Sequence, residues 1–379
     1  MYEDVHLNKY LKKRSIHKVG EPHKSLKKCD FKFFIVIPCY NEFEYIFDTL
    51  QSIDYQDKKL LDDTLVVVVI NNATDDSLEI KVNNSKTYDL LITKKYQFEF
   101  VVIDCFSQKN QISNQLSGVG YARKIGLDFS LNHILDVHSL FCFLDADTII
   151  DKKYLTIIKN NFSLKNIDAA VINFKHQKSN NPIIEEGIRK YEFLLKSIAF
   201  QIEKTGSPYG YVSMGSTIVC NVKSYIACGG MNTKKATEDF YFLQSLAKYT
   251  NIHKIKDLLV FPSSRNENRV YLGTGFRMDE YSKNKTFKNL DFSNHSYEEI
   301  KKINKIINKN WKLSSRDIIQ ILNQELDNKS ISFLNGKNIK NVLTKFKDNA
   351  KDKNQFLLFF NQWFDALSIM QFLKHLNNY

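Results

Sequence analysis

Nowhere in the 379-residue chain do about 20 apolar residues follow one another, the length that a membrane-crossing helix needs. The opening segment MYEDVHLNKYLKKRSIHK has no continuous apolar stretch, so neither a signal peptide nor an anchor is expected there. The six cysteines, Cys29, Cys39, Cys105, Cys142, Cys220 and Cys228, include no CxxC pair, which argues against a zinc site and a disulfide framework. Several lie inside apolar runs, where a reduced thiol packs as a small hydrophobe. A reducing, cytoplasmic setting is the expectation, with the inner face of the membrane as the nearest surface. Proline and glycine almost vanish after Ser296, leaving a C-terminal region with nothing to break helices. Acidic residues are outnumbered, and the formal charge is +12. That excess suits an anionic partner such as a lipid surface or a phosphorylated small molecule. The lysines are nevertheless dispersed and no nucleic-acid recognition module is visible, so nucleic acid is not expected as a partner.

What is present is a series of short β-branched and aromatic runs without polar alternation: FFIVIP (Phe33 to Pro38), LVVVVI (Leu65 to Ile70), FEFVVID (Phe98 to Asp104), SLFCFL (Ser139 to Leu144) and AAVINF (Ala169 to Phe174). Strands buried on both faces of a parallel sheet read this way. Helical spacing over Glu44 to Ile53, Gly118 to Leu131 and Lys153 to Phe162 supplies crossovers, and strands alternating with helices predict an open α/β sheet. Further on, Pro182 to Lys204 and Glu238 to Tyr249 read as helices and STIVCN (Ser216 to Asn221) as a strand. The aromatic segment FLLFFNQWFDALSIMQFLKHL (Phe356 to Leu376) fits either a packed core or a helix lying on a membrane. The expected division is a basic N-terminal extension (1–30), a catalytic domain (31–280, halves 31–150 and 151–280) and a helical region (281–379).

In open α/β sheets ligands bind beyond the carboxyl ends of the strands. The residues at those ends are Pro38-Cys39-Tyr40-Asn41-Glu42, Asn71-Asn72-Ala73-Thr74-Asp75-Asp76 and Asp145-Ala146-Asp147, all gathered on one rim. A DxD triplet alone is weak evidence, but two carboxylates at a strand end suit a hard divalent cation that also holds phosphate oxygens. Taken in order, VIPCYNE (Val36 to Glu42) with TLQSI (Thr49 to Ile53), INNATDDS (Ile70 to Ser77), GVGYARKIGLD (Gly118 to Asp128), FLDADT and CGGMNTKKATEDFYF (Cys228 to Phe242) resemble the inverting family 2 glycosyltransferases. The resemblance covers roughly residues 32 to 250. It implies the GT-A fold, a Rossmann-like, mostly parallel open sheet flanked by helices, here with a helical C-terminal extension.

The resemblance also implies roles. Asp147 is the expected metal ligand, with Asp145 assisting or addressing the ribose, and the cation is Mn²⁺ or Mg²⁺. Pro38, Tyr40, Asn41, Glu42, Asn71, Asn72, Asp76, Arg123, Asp145 and Ala146 are expected around the donor nucleotide. The family usually carries an aspartate where this chain has Asn71 and Asn72, which leaves the base open, because an amide can donate as well as accept. Arg123 is expected on phosphate or base. Asp239 matches the catalytic base, with Glu238, Gly229 and Gly230 toward acceptor or sugar. Downstream, Arg269 and Arg277 are expected on the diphosphate ahead of Arg265. The nearest histidine upstream of that loop is His253, and no histidine ligand is assigned. A nucleotide sugar is the implied donor, UDP ahead of GDP on family frequency, and a carbohydrate, lipid-linked or small-molecule hydroxyl the acceptor. The competing readings are a non-catalytic sugar-binding protein of the same fold and a sugar nucleotidyltransferase. The latter should carry a glycine-rich basic loop after the first strand, and VIPCYNE has none.

Overall fold

The computed structural model describes residues 5–26, 28–266 and 273–378. Nine strands make one sheet: β1 (Glu21–Pro22), β2 (Phe33–Cys39), β3 (Thr64–Asn71), β4 (Glu99–Cys105), β5 (Leu140–Phe143), β6 (Ile149–Ile150), β7 (Ala169–Phe174), β8 (Ile218–Asn221) and β9 (Ile252–Phe261). Their spatial order is β1-β4-β3-β2-β5-β8-β7-β9-β6. Strands β4, β3, β2 and β5 run parallel. Beyond them β8 is antiparallel to both β5 and β7, β7 and β9 are parallel, and β6 closes the edge antiparallel to β9. Every residue of β2, β3 and β5 is buried, which is why these runs show no alternation: helices cover both faces.

The helices, in chain order, are α1 (Val5–Lys13), α2 (Ile46–Asp54), α3 (Lys58–Leu61), α4 (Leu78–Leu91), α5 (Val119–Ser130), α6 (Tyr154–Lys165), α7 (Pro182–Lys204), α8 (Val222–Ala227), α9 (Glu238–Tyr249) and α10 (Thr274–Asn284). They are followed by α11 (Asn294–Lys309), α12 (Ser315–Glu325), α13 (Asn328–Gly336), α14 (Ile339–Asn349), α15 (Lys353–Trp363) and α16 (Ala366–Leu376). The chain divides into two compact units, Met1–Ile188 with Ser213–Asp279, and Arg189–Val212 with Glu280–Tyr379.

In the first unit the basic N-terminal segment is packed onto the sheet domain. Leu7 and Tyr10 of α1 are buried, and β1 pairs with β4. The Tyr10 hydroxyl donates to Asp128 Oδ1 (2.8 Å) and accepts from Lys124 Nζ (2.8 Å). Tyr225 also donates to Asp128 (2.7 Å), and the Ile16 backbone N–H reaches its other oxygen (2.9 Å). A fully buried carboxylate is thereby neutralised and hydrogen-bonded on both oxygens, which burial of a charge demands.

In the second unit the aromatics of α15 and α16 form a core: Phe356, Phe360, Phe364 and Phe372 are buried, and Phe364 meets Phe372 edge-on at 5.8 Å. Tyr209 ties this core to its own unit by donating to the Asn361 carbonyl (2.7 Å). Among the described residues no single helix is long and apolar enough to cross a membrane, and α15 with α16 pass that test only as a pair bent by 60°.

Candidate active site at the sheet rim

Strand direction decides which residues meet. Because β2, β3 and β5 are parallel, their C-terminal loops share one rim. The Tyr40 hydroxyl after β2 donates to Asp76 Oδ1 after β3 (3.0 Å), and Asp76 Oδ2 accepts from the Ala73 amide (2.6 Å). Asn41 sits at φ 58, the left-handed region that asparagine tolerates, and its amide donates to Asn84 (2.9 Å). Asn84 in turn donates to the Asn71 carbonyl (3.0 Å) and to Asn72 Oδ1 (3.2 Å). Asn71 and Asn72 are thus buried beneath the loop, with Asn71 Oδ1 lacking a hydrogen-bond partner among the described residues. Pro38 lies within β2 itself. Ala146 is buried, and its carbonyl accepts from Thr49 (2.8 Å), which gives the TLQSI helix its role: it pins the backbone between the two aspartates.

Antiparallel pairing brings in the rest. Since β8 runs opposite to β5, the turn before β8 stands level with the loop after β5, and Ser216 donates to Asp145 Oδ2. Since β6 runs opposite to β9, Asp147, just before β6, faces Arg265, just after β9. The Arg265 guanidinium lies 3.0 Å from Asp147 Oδ2 and 2.6 Å from Glu42 Oε1. Gln177 Nε2, beyond β7, donates to the Asp147 carbonyl (2.9 Å).

Arg123 is 1% exposed and joins the loop after β5 to the start of α9. One terminal nitrogen pairs with Asp145 Oδ1 and the other with Glu238 Oε1 (2.8 Å). Its guanidinium is thereby spent on two carboxylates of the chain, which differs from the expectation that it addresses phosphate or base. Glu238 is buried as well, and its backbone carbonyl accepts from Asn232 (2.8 Å), which holds the start of α9 in place. The segment before α9 seats on α5 because Gly118 and Gly120 have no side chain: a Cβ on Gly120 would come within 2.9 Å of both Asn232 O and Glu238 Cβ. Asp239, next in sequence, is only partly buried; it accepts from the Phe240 amide (2.7 Å) and has no ion-pair partner among the described residues. Burial first, and the charge of Asp145 among its neighbours, raise the Asp239 carboxyl above its ordinary range. Burial, then the Asp239 charge, push Glu238 up to about 8 against the pull of Arg123.

Of the other expected residues, the two glycines meet the N-terminal segment. Gly229 and Gly230 end α8 in left-handed conformations (φ 91 and 79), with their amides on the Ile226 and Tyr225 carbonyls. The space a side chain there would fill is taken by Arg14 and by the Tyr10 ring. These glycines admit the N-terminal segment. Arg277 stands in the first turn of α10 and lies 5.8 Å from the ring of its neighbour Phe276. Arg269 lies outside the described residues. His253 sits beside Lys165 (3.3 Å), whereas His176, to which no sequence signal pointed, is buried with Nε2 3.5 Å from Thr274 Oγ1.

Comparison with known proteins decides the family. A model for glycosyl transferase family 2 matches residues 34–224, half of the chain. The chain belongs to that family. This glycosyltransferase carries its family motifs on an open mixed sheet flanked by helices. Solved structures similar to it include S. aureus TarS 1-349 in complex with UDP-GlcNAc, at 16% identity over 87% of this chain and 91% of that one (TM-score 0.45). A second is the mannosyltransferase PcManGT from Pyrobaculum calidifontis in complex with GDP-Man and Mn²⁺, at 11% over 94% and 92% (TM-score 0.43). A third is glucosyl-3-phosphoglycerate synthase from Mycobacterium tuberculosis in complex with Mn²⁺ and UDP-glucose, at 12% over 74% and 81% (TM-score 0.39). No curated protein sequence matches the chain significantly.

Proposed function

We propose that this glycosyltransferase transfers one sugar, with inversion, from a nucleotide diphosphate sugar to an acceptor hydroxyl, with Asp239 as the base. The observation that carries it is the Arg123 bridge, which couples Asp145 on the donor rim to the start of the helix bearing Asp239. The acceptor oxygen attacks the anomeric carbon as the bond from that carbon to the diphosphate breaks. The hydroxyl proton passes to Asp239, whose raised proton affinity suits a base. Glu238 stays on Arg123 and fixes the angle of α9.

Asp147 and Glu42 supply carboxylate oxygens that converge on a single guanidinium, an all-oxygen set suited to a hard divalent cation. Asp145, engaged by Arg123 and Ser216, suits that role less well. Bound there, Mn²⁺ or Mg²⁺ would neutralise the departing diphosphate. Among the described residues the His/carboxylate cluster with ligand atoms close together is His295, Glu299 and Asp327, in the other unit. There Lys302 (2.7 Å) and the Asp327 amide (2.9 Å) already satisfy Glu299. The unpartnered Asn71 Oδ1 supports a base N–H at the β3 loop, in keeping with a UDP donor. Surface glycan or glycolipid synthesis remains the reading of the acceptor side. With the C-terminal aromatics spent on a core, membrane contact rests on the basic charge alone.

The test is a thermal-shift panel of UDP, GDP and their sugars with Mn²⁺ or Mg²⁺, since a ligand that binds only the folded chain raises its melting temperature. A metal-dependent shift with one nucleotide series is expected. No shift with any nucleotide would refute the reading.

A further inference from the structure

Arg265 occupies the position between Glu42 and Asp147 that a metal ion would need. Its Nη2 is 2.6 Å from Glu42 Oε1 and 3.0 Å from Asp147 Oδ2, and its guanidinium carbon lies 4.3 Å from the centre of the Tyr45 ring. All three charged side chains are largely withdrawn from solvent, at 17%, 9% and 17% exposure for Arg265, Glu42 and Asp147. Carboxylates brought this close repel one another unless a positive charge stands between them. Among the described residues the Arg265 guanidinium stands there. A divalent cation on the same oxygens would put two like charges in one place, so the two cannot be held there together.

We propose that Arg265 is a resident counter-cation of the donor site. It holds Glu42 and Asp147 in place, excludes the metal while the site holds no nucleotide, and is released when a diphosphate offers its fork another anion. Arginine suits the exchange because its planar fork matches carboxylate and phosphate oxygens alike. The consequence is strong positive coupling: the metal binds poorly alone and well with a nucleoside diphosphate, and by linkage the nucleotide gains equally from the metal. The proposal rests on the reading of Asp147 as a metal ligand.

The experiment titrates the purified full chain with Mn²⁺, with and without UDP, and follows the free aqueous ion by its electron paramagnetic resonance signal. For the unmodified chain, UDP should tighten Mn²⁺ binding by more than about tenfold, the scale of one charge-assisted hydrogen bond. Arg265→Gln should bind Mn²⁺ alone about tenfold more tightly than the unmodified chain and show correspondingly smaller coupling to UDP. Arg265→Lys, which keeps the charge, should retain weak binding of the metal alone. Arg265→Gln binding Mn²⁺ alone no more tightly, while Asp147→Asn still weakens Mn²⁺–UDP binding, would overturn the counter-cation and leave the metal reading intact. Arg265→Lys matching Arg265→Gln would overturn it too, by removing charge as the cause. Asp147→Asn with unaltered Mn²⁺–UDP binding would remove the metal reading and this proposal with it.

Discussion

Substituting Gly230 by alanine separates two roles for the glycine pair after α8. The residue sits at φ 79, where a side chain costs roughly 1–2 kcal/mol of backbone strain. Its new Cβ would also overlap the Tyr10 hydroxyl and stand 2.8 Å from the ring carbon bearing it. The ring must retreat, and with it go the bonds to Asp128 and Lys124 (2.8 Å each). Breaking into such a buried network costs roughly 1–3 kcal/mol, and Asp128 keeps Tyr225, Ile16 and Lys124, which holds the loss toward the lower end. Gly230→Ala should therefore destabilise the chain by about 2–4 kcal/mol, a fall of roughly 10 °C in melting temperature for a unit of this size. Tyr10→Ala made in that background should cost less than Tyr10→Ala alone, because the Tyr10 bonds are already lost there and removing the ring relieves the overlap. Differential scanning calorimetry reads the stability, and titration with the nucleotide reads the donor site, which should be unaffected at temperatures where the variant is folded. A Gly230→Ala protein that melts like its parent but loses affinity for acceptor would refute the packing role and return the glycines to the sugar.

Asp239→Asn should retain donor binding by calorimetric titration and lose turnover by about 10²- to 10⁴-fold, the usual scale for a general base; near-normal turnover would disqualify it. Because the folded state raises the Glu238 carboxyl from 4.5 to about 8, it binds more protons there than the unfolded chain does, so stability should fall as pH rises across that window. Urea midpoints measured from pH 5 to 9 test this, and a flat profile would contradict the burial of that charge. The acid limb of kcat/KM should likewise lie above the ordinary carboxylate range, with the rate rising as Asp239 deprotonates. Arg123→Met removes the buried partner of Glu238 and Asp145 and should cost roughly 1–3 kcal/mol; unchanged stability with weakened nucleotide binding would put the guanidinium back on the donor. If the basic charge serves a membrane, the chain should co-sediment with anionic vesicles at low salt and dissociate at high salt.

The parts of the fold legible in the sequence are those where burial dictates residue type. The runs Phe33 to Pro38 in β2 and Leu65 to Ile70 in β3 are buried throughout and carry no polar residue, and the patterns over Pro182–Lys204 and Glu238–Tyr249 coincide with α7 and α9. Helix α4 was not legible, because its inward face is made of Asn84 and Thr87 as much as Leu91, so apolar periodicity is faint. The N-terminal segment read as a polar extension because its anchoring is by Tyr10 on a buried carboxylate 118 positions away, a contact that leaves no local pattern. At the site, the three loops were legible from strand direction in a parallel sheet. The partners Ser216 and Gln177 were not, since they arrive through the antiparallel strand β8 and the segment after β7. Arg265 ranked below Arg269 and Arg277 for the same reason: its place against Asp147 follows from the β6–β9 pairing, which a two-residue strand does not announce.

The seating of residues 232–238 on α5 has a consequence for synthesis. A nascent chain that has emerged only as far as β7 owns Arg123 but not Glu238, 115 positions further on. Until that segment arrives, the Arg123 guanidinium is half-neutralised, and the glycine shelf at Gly118 and Gly120 is bare. The sheet's first half can therefore collapse early, while the seating of α9 comes late. Truncations ending before α9 should behave as donor-site fragments with a labile helix α5, not as slow enzymes.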